Sequence, residues 1–190
     1  MKQLEKRKGT IQYFDVANGY AHIELGKCII AYLKEISLDS CTPIILCIGT
    51  DRATGDCLGP LVGEQLTDYD ENFKVFGTLE SPVHALNLNQ TIQTIYDMYT
   101  NPYVIAIDAA VGDYSHIGYV TVSNCPIAPG KGVNKKLPAI GDISITGIVN
   151  VAGQNANLLH TTRLYTVMQL ANCIASALKY SIDYLDFGAL

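Results

Sequence analysis

Residues 44–66 read IILCIGTDRATGDCLGPLVGEQL. Five apolar residues in succession, Ile44 to Ile48, predict a strand buried on both faces, and Gly49 ends it in a turn. A polar loop leads into a helix. Pro60 suits its first turn, where the missing amide hydrogen would have no partner anyway, and Leu58, Leu61, Val62, Leu66 and Tyr69 then fall on one helical face. The loop carries Asp51 and Asp56. In an open α/β sheet the loops at the carboxyl ends of strands border the crevice where ligands bind, so both acids are site candidates.

Outward from this unit, Gly19 to Ser37 repeats apolar residues at near-helical spacing and predicts a helix packed on the sheet, preceded by a loose leader over residues 1–18. Phe73 to Thr78 predicts a short second strand. Leu88 to Tyr99 predicts a helix that Asn101-Pro102 breaks. Tyr103 to Ala110, YVIAIDAA, is a second apolar strand with Asp108 near its end. A carboxylate there is costly unless it meets a cleft or a partner.

Gly112 to Ile117 is too short for a helical crossover, so the next strand, Gly118 to Ser123, is expected to run antiparallel to the one before. The loop NCPIAPGKGVNKKLPAIGD, residues 124–142, is long enough to suggest function or mobility. Ile143 to Val149 is a fifth strand. Asn155 to Tyr180 is a closing helix whose stripe of Leu164, Val167, Met168, Ala171, Ile174 and Leu178 is expected to be core.

The order β-α-β-α-β-β-β-α predicts an α/β fold, three-layer α-β-α, with a mixed, mostly parallel central sheet of about five strands. Right-handed crossovers put the strand at 44–48 between its two successors. The topological switch point then lies between it and the strand carrying Asp108, so Asp56 and Asp108 are expected to face each other.

A chain of 190 residues, 48% hydrophobic, fits one domain spanning 1–190. The net charge of −5, with no basic run beyond the first eight residues, speaks against nucleic acid and anionic membranes and for a protein or small-molecule partner. MKQLEKRKGTIQYFD lacks the apolar segment of a signal peptide, and no apolar run approaches a membrane span, so a cytoplasmic protein is expected. Six cysteines, Cys28, Cys41, Cys47, Cys57, Cys125 and Cys173, show no CxxC pair or zinc-ligand spacing.

Each candidate has a plainer structural reading. Asp56, just ahead of a helix, could accept backbone N–H groups and offset the dipole. Asp108 could hold a neighbouring amide or a cation. His84, in SPVHALN, could face substrate or ligate, against a role as a capped surface histidine. Arg52, Lys135 and Lys136 could bind a peptide carbonyl or an acidic side chain, against ordinary solvation. Asp51 reads as a loop acid. The glycine-rich loop lacks the spacings of nucleotide-binding motifs and presents acids where an anion would sit. Cys57 adjoins Asp56, but no nucleophile elbow accompanies it.

The segments CIGTDRATGDCLGPLVG, GTLESPVHALN, NPYVIAIDAAVG, PGKGVNKKLPAIGD and ITGIVNV resemble, in the same order, the YyaC family of sporulation proteins. The loop around Gly55 to Pro60, the strand end Ala106-Ile107-Asp108-Ala109 and Pro129 to Val133 also resemble the germination proteases that digest small acid-soluble spore proteins.

That resemblance implies the fold of hydrogenase-maturation endopeptidases (HybD-like, phosphorylase/hydrolase-like) and an atypical aspartic mechanism whose two acids fall on Asp56 and Asp108. It implies a protein or peptide substrate such as a small acid-soluble spore protein, and no cofactor is expected. It also implies action in the sporulating cell or spore core, with self-assembly compatible with the apolar closing helix. Met1 to Thr42 does not resemble the longer, self-cleaved N-terminal region of germination proteases. No histidine falls in Pro126 to Asp142, where a nickel-sensing one would be expected, so no metal is assigned.

With two carboxylates sharing a proton, Asp56 near a helix N-terminus is expected to be the ionised base and Asp108 the proton holder. Two alternatives remain: a non-catalytic binding or regulatory protein of sporulation, and a metal-assisted hydrolase using His84.

Overall fold

The computed structural model describes residues 10–36, 38–69, 71–129, 139–152 and 161–188. In chain order the elements are β1 (Gln12–Asp15), α1 (Ala21–Leu33), β2 (Thr42–Cys47), α2 (Leu58–Leu66), β3 (Lys74–Phe76), α3 (Leu88–Met98), β4 (Pro102–Gly112), β5 (Tyr119–Ser123), β6 (Ile143–Val151) and α4 (Leu164–Gly188). One-turn 3-10 helices cover Leu38–Ser40, Thr54–Cys57 and Tyr114–His116.

The strands form one six-stranded sheet in the order β1-β5-β6-β4-β2-β3. Strands β3, β2, β4 and β6 are mutually parallel, while β5 runs antiparallel to β6 and β1 antiparallel to β5. Alternation along the strands divides the core in two. Ile45, Cys47, Ile105, Ile107, Ile143 and Ile145 face α1, α2 and α4. Ile44, Leu46, Ile48, Val104 and Ala106 face α3 through Leu88 and Ile95. The fold is therefore the expected three-layer α-β-α, with β2 between β3 and β4.

Three expectations are corrected. The sheet has six strands, because Gln12–Asp15 pairs with β5 inside what reads from sequence as a loose leader. Inward Phe14 packs on the core and Gln12 Nε2 reaches Cys28 Sγ at 3.1 Å on α1, which anchors this short edge. Strand β5 does run opposite to β4, but β6 lies between them. Helix α4 runs from Leu164 to Gly188, and Leu164 at its start is 55% exposed, so the core stripe begins at Val167. Asn155 to His160 lie outside the described residues.

The turn at Asn101 that separates α3 from β4 falls where expected. Its backbone is left-handed (φ 51°), and its side-chain amide donates to the Ser40 carbonyl at 2.8 Å, which ties the start of β4 to the start of β2. Strand β2 ends level with Ile107, whereas β4 runs on to Gly112 beside β6. In an open sheet of this kind the space past the end of β2, beside β4, is the crevice over the carboxyl edge, and Asp108 stands one residue beyond that end.

Candidate active site

The first wall of the crevice is the loop after β2. Gly49 has φ +144°, and a Cβ there would run into the Asp56 carbonyl, so only glycine lets the loop fold back on itself. Thr50 N–H then donates to the Asp56 carbonyl at 3.0 Å, and Asp56 N–H to the Ala53 carbonyl at 2.9 Å. Asp56 sits in the turn Thr54–Cys57, immediately before α2, half-buried and near the positive end of the helix dipole. Helix α2 is brought hard against β2 at Gly59, whose missing side chain leaves room for the Ile48 backbone.

Asp108 forms the second wall. Its Oδ1 accepts the Ala109 N–H at 2.9 Å. The residue keeps some exposed surface, yet its carboxyl is enclosed enough to be pushed up to about 8. Burial is the main cause, the charge of Asp56 adds to it, and the Ala109 N–H works the other way. At neutral pH Asp108 therefore holds a proton. The two acids, 52 positions apart in sequence, lie close enough for one charge to alter the other's titration.

His84 borders the same rim. Val83 forms a parallel bridge with Ile48, and Gly49 N–H donates to the Val83 carbonyl at 2.7 Å. His84 N–H donates to Asn87 Oδ1 at 2.7 Å, and the Leu86 N–H points at His84 Nδ1 at 3.3 Å. An Nδ1 that accepts leaves the proton of the neutral ring on Nε2, so the ring offers an N–H donor.

Arg52 is exposed on the loop between Gly49 and Asp56, with its amide 3.4 Å from Thr50 Oγ1. Lys135 and Lys136 lie outside the described residues. Asp51 is exposed and acts on the Cys57 thiol, which burial first, and then Asp51 and Asp56, push upward. A raised thiol is a poor nucleophile. Among the described residues no group of three or more His, Cys, Asp or Glu could hold a metal ion.

One part of the crevice is absent from the sequence reading. Thr146 is the register neighbour of Asp108, and its hydroxyl lies 2.6 Å from that of Thr121 on β5. The signal was present in outline: Thr121 and Thr146 are polar positions in the alternation of YVTVS and ISITGIV, on the face opposite Val120, Val122, Ile143 and Ile145.

An open, mostly parallel sheet of this order defines an α/β protein of the class in which ligands bind over the carboxyl edge at the switch point. Compared with known proteins, the chain belongs to the family described as "Protein of unknown function (DUF1256)", which matches residues 13–177. It is 47% identical over 138 residues to the "Uncharacterized protein YyaC" of Bacillus subtilis (strain 168), a match covering 72% of this chain and 67% of that protein.

Among solved structures it is similar to a NiFe hydrogenase maturation protease, HycI, from Thermococcus kodakarensis KOD1. The TM-score is 0.42 at 16% identity, over 75% of this chain and 97% of that one. So distant a likeness carries no argument, and the strand order above defines the fold on its own. Among the described residues no helix is long and apolar enough to cross a membrane.

Proposed function

We propose that the chain is an endopeptidase that hydrolyses a peptide bond with two aspartates and one water. Asp56, ionised, takes a proton from the water as its oxygen attacks the scissile carbonyl carbon. Asp108, protonated, donates first to the carbonyl oxygen. Collapse of the tetrahedral intermediate breaks the C–N bond: the proton gained by Asp56 goes to the leaving nitrogen, and a hydroxyl proton of the intermediate returns to Asp108, so both acids end as they began. Arg52 and the Nε2–H of His84 hold substrate carbonyls or acidic side chains at the rim in this reading. Neither step requires a metal.

One observation carries this reading: Asp108, pushed up to about 8 by burial and by the charge of Asp56, holds a proton within electrostatic reach of Asp56. The resemblance to germination proteases supports the choice of peptide hydrolysis, with small acid-soluble spore proteins as the substrate to try first. The six free cysteines support a reducing compartment, the cytoplasm of the sporulating cell or the spore core.

The test is cleavage of purified small acid-soluble spore proteins by wild type, Asp56→Asn and Asp108→Asn, each variant checked for an intact fold. Each substitution is expected to lower kcat by about 100-fold or more. Activity of wild type should also fall as pH rises through about 8, because Asp108 there loses the proton it must donate. Full activity in either variant would remove the dyad. No cleavage by wild type at any pH from 5 to 9 would leave a binding protein of sporulation.

A further inference from the structure

Asp108 begins a row that crosses the sheet. Its register neighbour on β6 is Thr146, that of Thr146 on β5 is Thr121, and that of Thr121 on β1 is Tyr13. Register neighbours share a face, and this one carries Ala106, which packs toward α3, and not Ile107 or Ile145. The α3 layer packs on residues of β2 and β4, to one side of the row. Thr146 and Thr121 keep part of their surface, and Tyr13 is 51% exposed.

The chemistry along the row is ordered. Two hydroxyls 2.6 Å apart share one hydrogen, which leaves the other hydroxyl proton for an outside acceptor. At the far end three rings gather, with centroids 5.1 Å apart for Tyr13 and His116 and 5.3 Å for His116 and Tyr119. A spare donor between a carboxyl and an aromatic cup suits a backbone carbonyl followed by an apolar side chain. The length fits too. Three inter-strand steps span about 14 Å, which about four extended residues would cover.

We propose that the peptide to be cut lies across the strands on this row. Its scissile bond sits at Asp108, a carbonyl accepts from the Thr121–Thr146 pair, and an apolar or aromatic side chain about four residues away rests on Tyr13 and His116. Thr121, Thr146, Tyr13 and His116 are thus binding residues that set substrate preference. The assignment rests on the peptidase reading of the same crevice.

The probe is a set of acetylated, amidated hexa-alanine peptides with one phenylalanine walked from the first position to the sixth. Binding is followed by amide NMR shifts of isotopically labelled Asp108→Asn protein, and cleavage is followed with wild type. One phenylalanine position should bind best and shift Tyr13, His116, Thr121 and Thr146. The pair Thr121→Val/Thr146→Val, and separately Tyr13→Ala, should raise Kd and KM about 3- to 10-fold with kcat unchanged. The pair Thr121→Ser/Thr146→Ser, which keeps both hydroxyls, should bind as the parent does.

Shifts confined to other surfaces, no shift of this row at millimolar peptide, or unchanged Kd in the valine pair would overturn the inference. Peptides that occupy the row but are never cut by wild type would sustain it and count against peptide hydrolysis. Peptides cut with the same KM by wild type, the valine pair and Tyr13→Ala would do the reverse.

Discussion

Asp108 is a carboxyl placed where it is costly. Its folded pKa of about 8 lies above its ordinary 3.8, so between those values the folded chain holds a proton that the unfolded chain releases. Stability therefore falls as pH rises through that window, and the penalty is complete above about 8. Asp108→Asn, neutral and of the same shape, should stabilise the fold by about 1–3 kcal/mol at pH 8 and hardly at all at pH 4, measured by urea denaturation. A structural aspartate would show the opposite, a loss on amidation. Paired with lost activity, a gain in stability is what a residue retained for chemistry should give. At the rim, His84→Ala should raise KM severalfold while kcat and the melting temperature stay near wild type, because the ring's hydrogen bond, from the Leu86 N–H, is local to its own loop and the bond from the His84 backbone to Asn87 is kept.

At the scale of elements, the unit β2–loop–α2 holds Asp56 in place through contacts that leave no room for a side chain. Gly59→Ala would push a methyl into the Ile48 backbone, which belongs to a buried strand and cannot yield. About 1–3 kcal/mol of stability should be lost, read from urea midpoints. This unit was legible in the sequence because its signals agree: an apolar run, a glycine, a polar loop and a proline at the helix start. Strand β1 was not. QYFD is four residues at a sheet edge with Phe14 alone packed on the main core, too little for a period to show. The start of α4 misled for a related reason, since Leu164 continues an apolar period but projects outward once α1 and α2 have covered the helix from Val167 onward.

At the scale of the molecule, strands buried on both faces announce themselves, and β2, β4 and β6 could be found from their apolar runs; the place of β2 between β3 and β4 followed from the connections, whereas that of β6 between β4 and β5 did not. What a linear reading cannot supply is register. That Asp108, Thr146, Thr121 and Tyr13 stand in line depends on three separate strand pairings, one of them to a strand the sequence hid. The electrostatic link between Asp56 and Asp108 was legible because topology brings their elements together: Asp56 follows β2 and Asp108 lies on β4, the strands that flank the switch point. The most direct test is a carbon-13 NMR titration of the Asp108 carboxyl in wild type and in Asp56→Asn. A shared crevice predicts a pKa near 8 that falls when the Asp56 charge is removed. A carboxyl that titrates in the ordinary aspartate range, or one indifferent to Asp56→Asn, would contradict it.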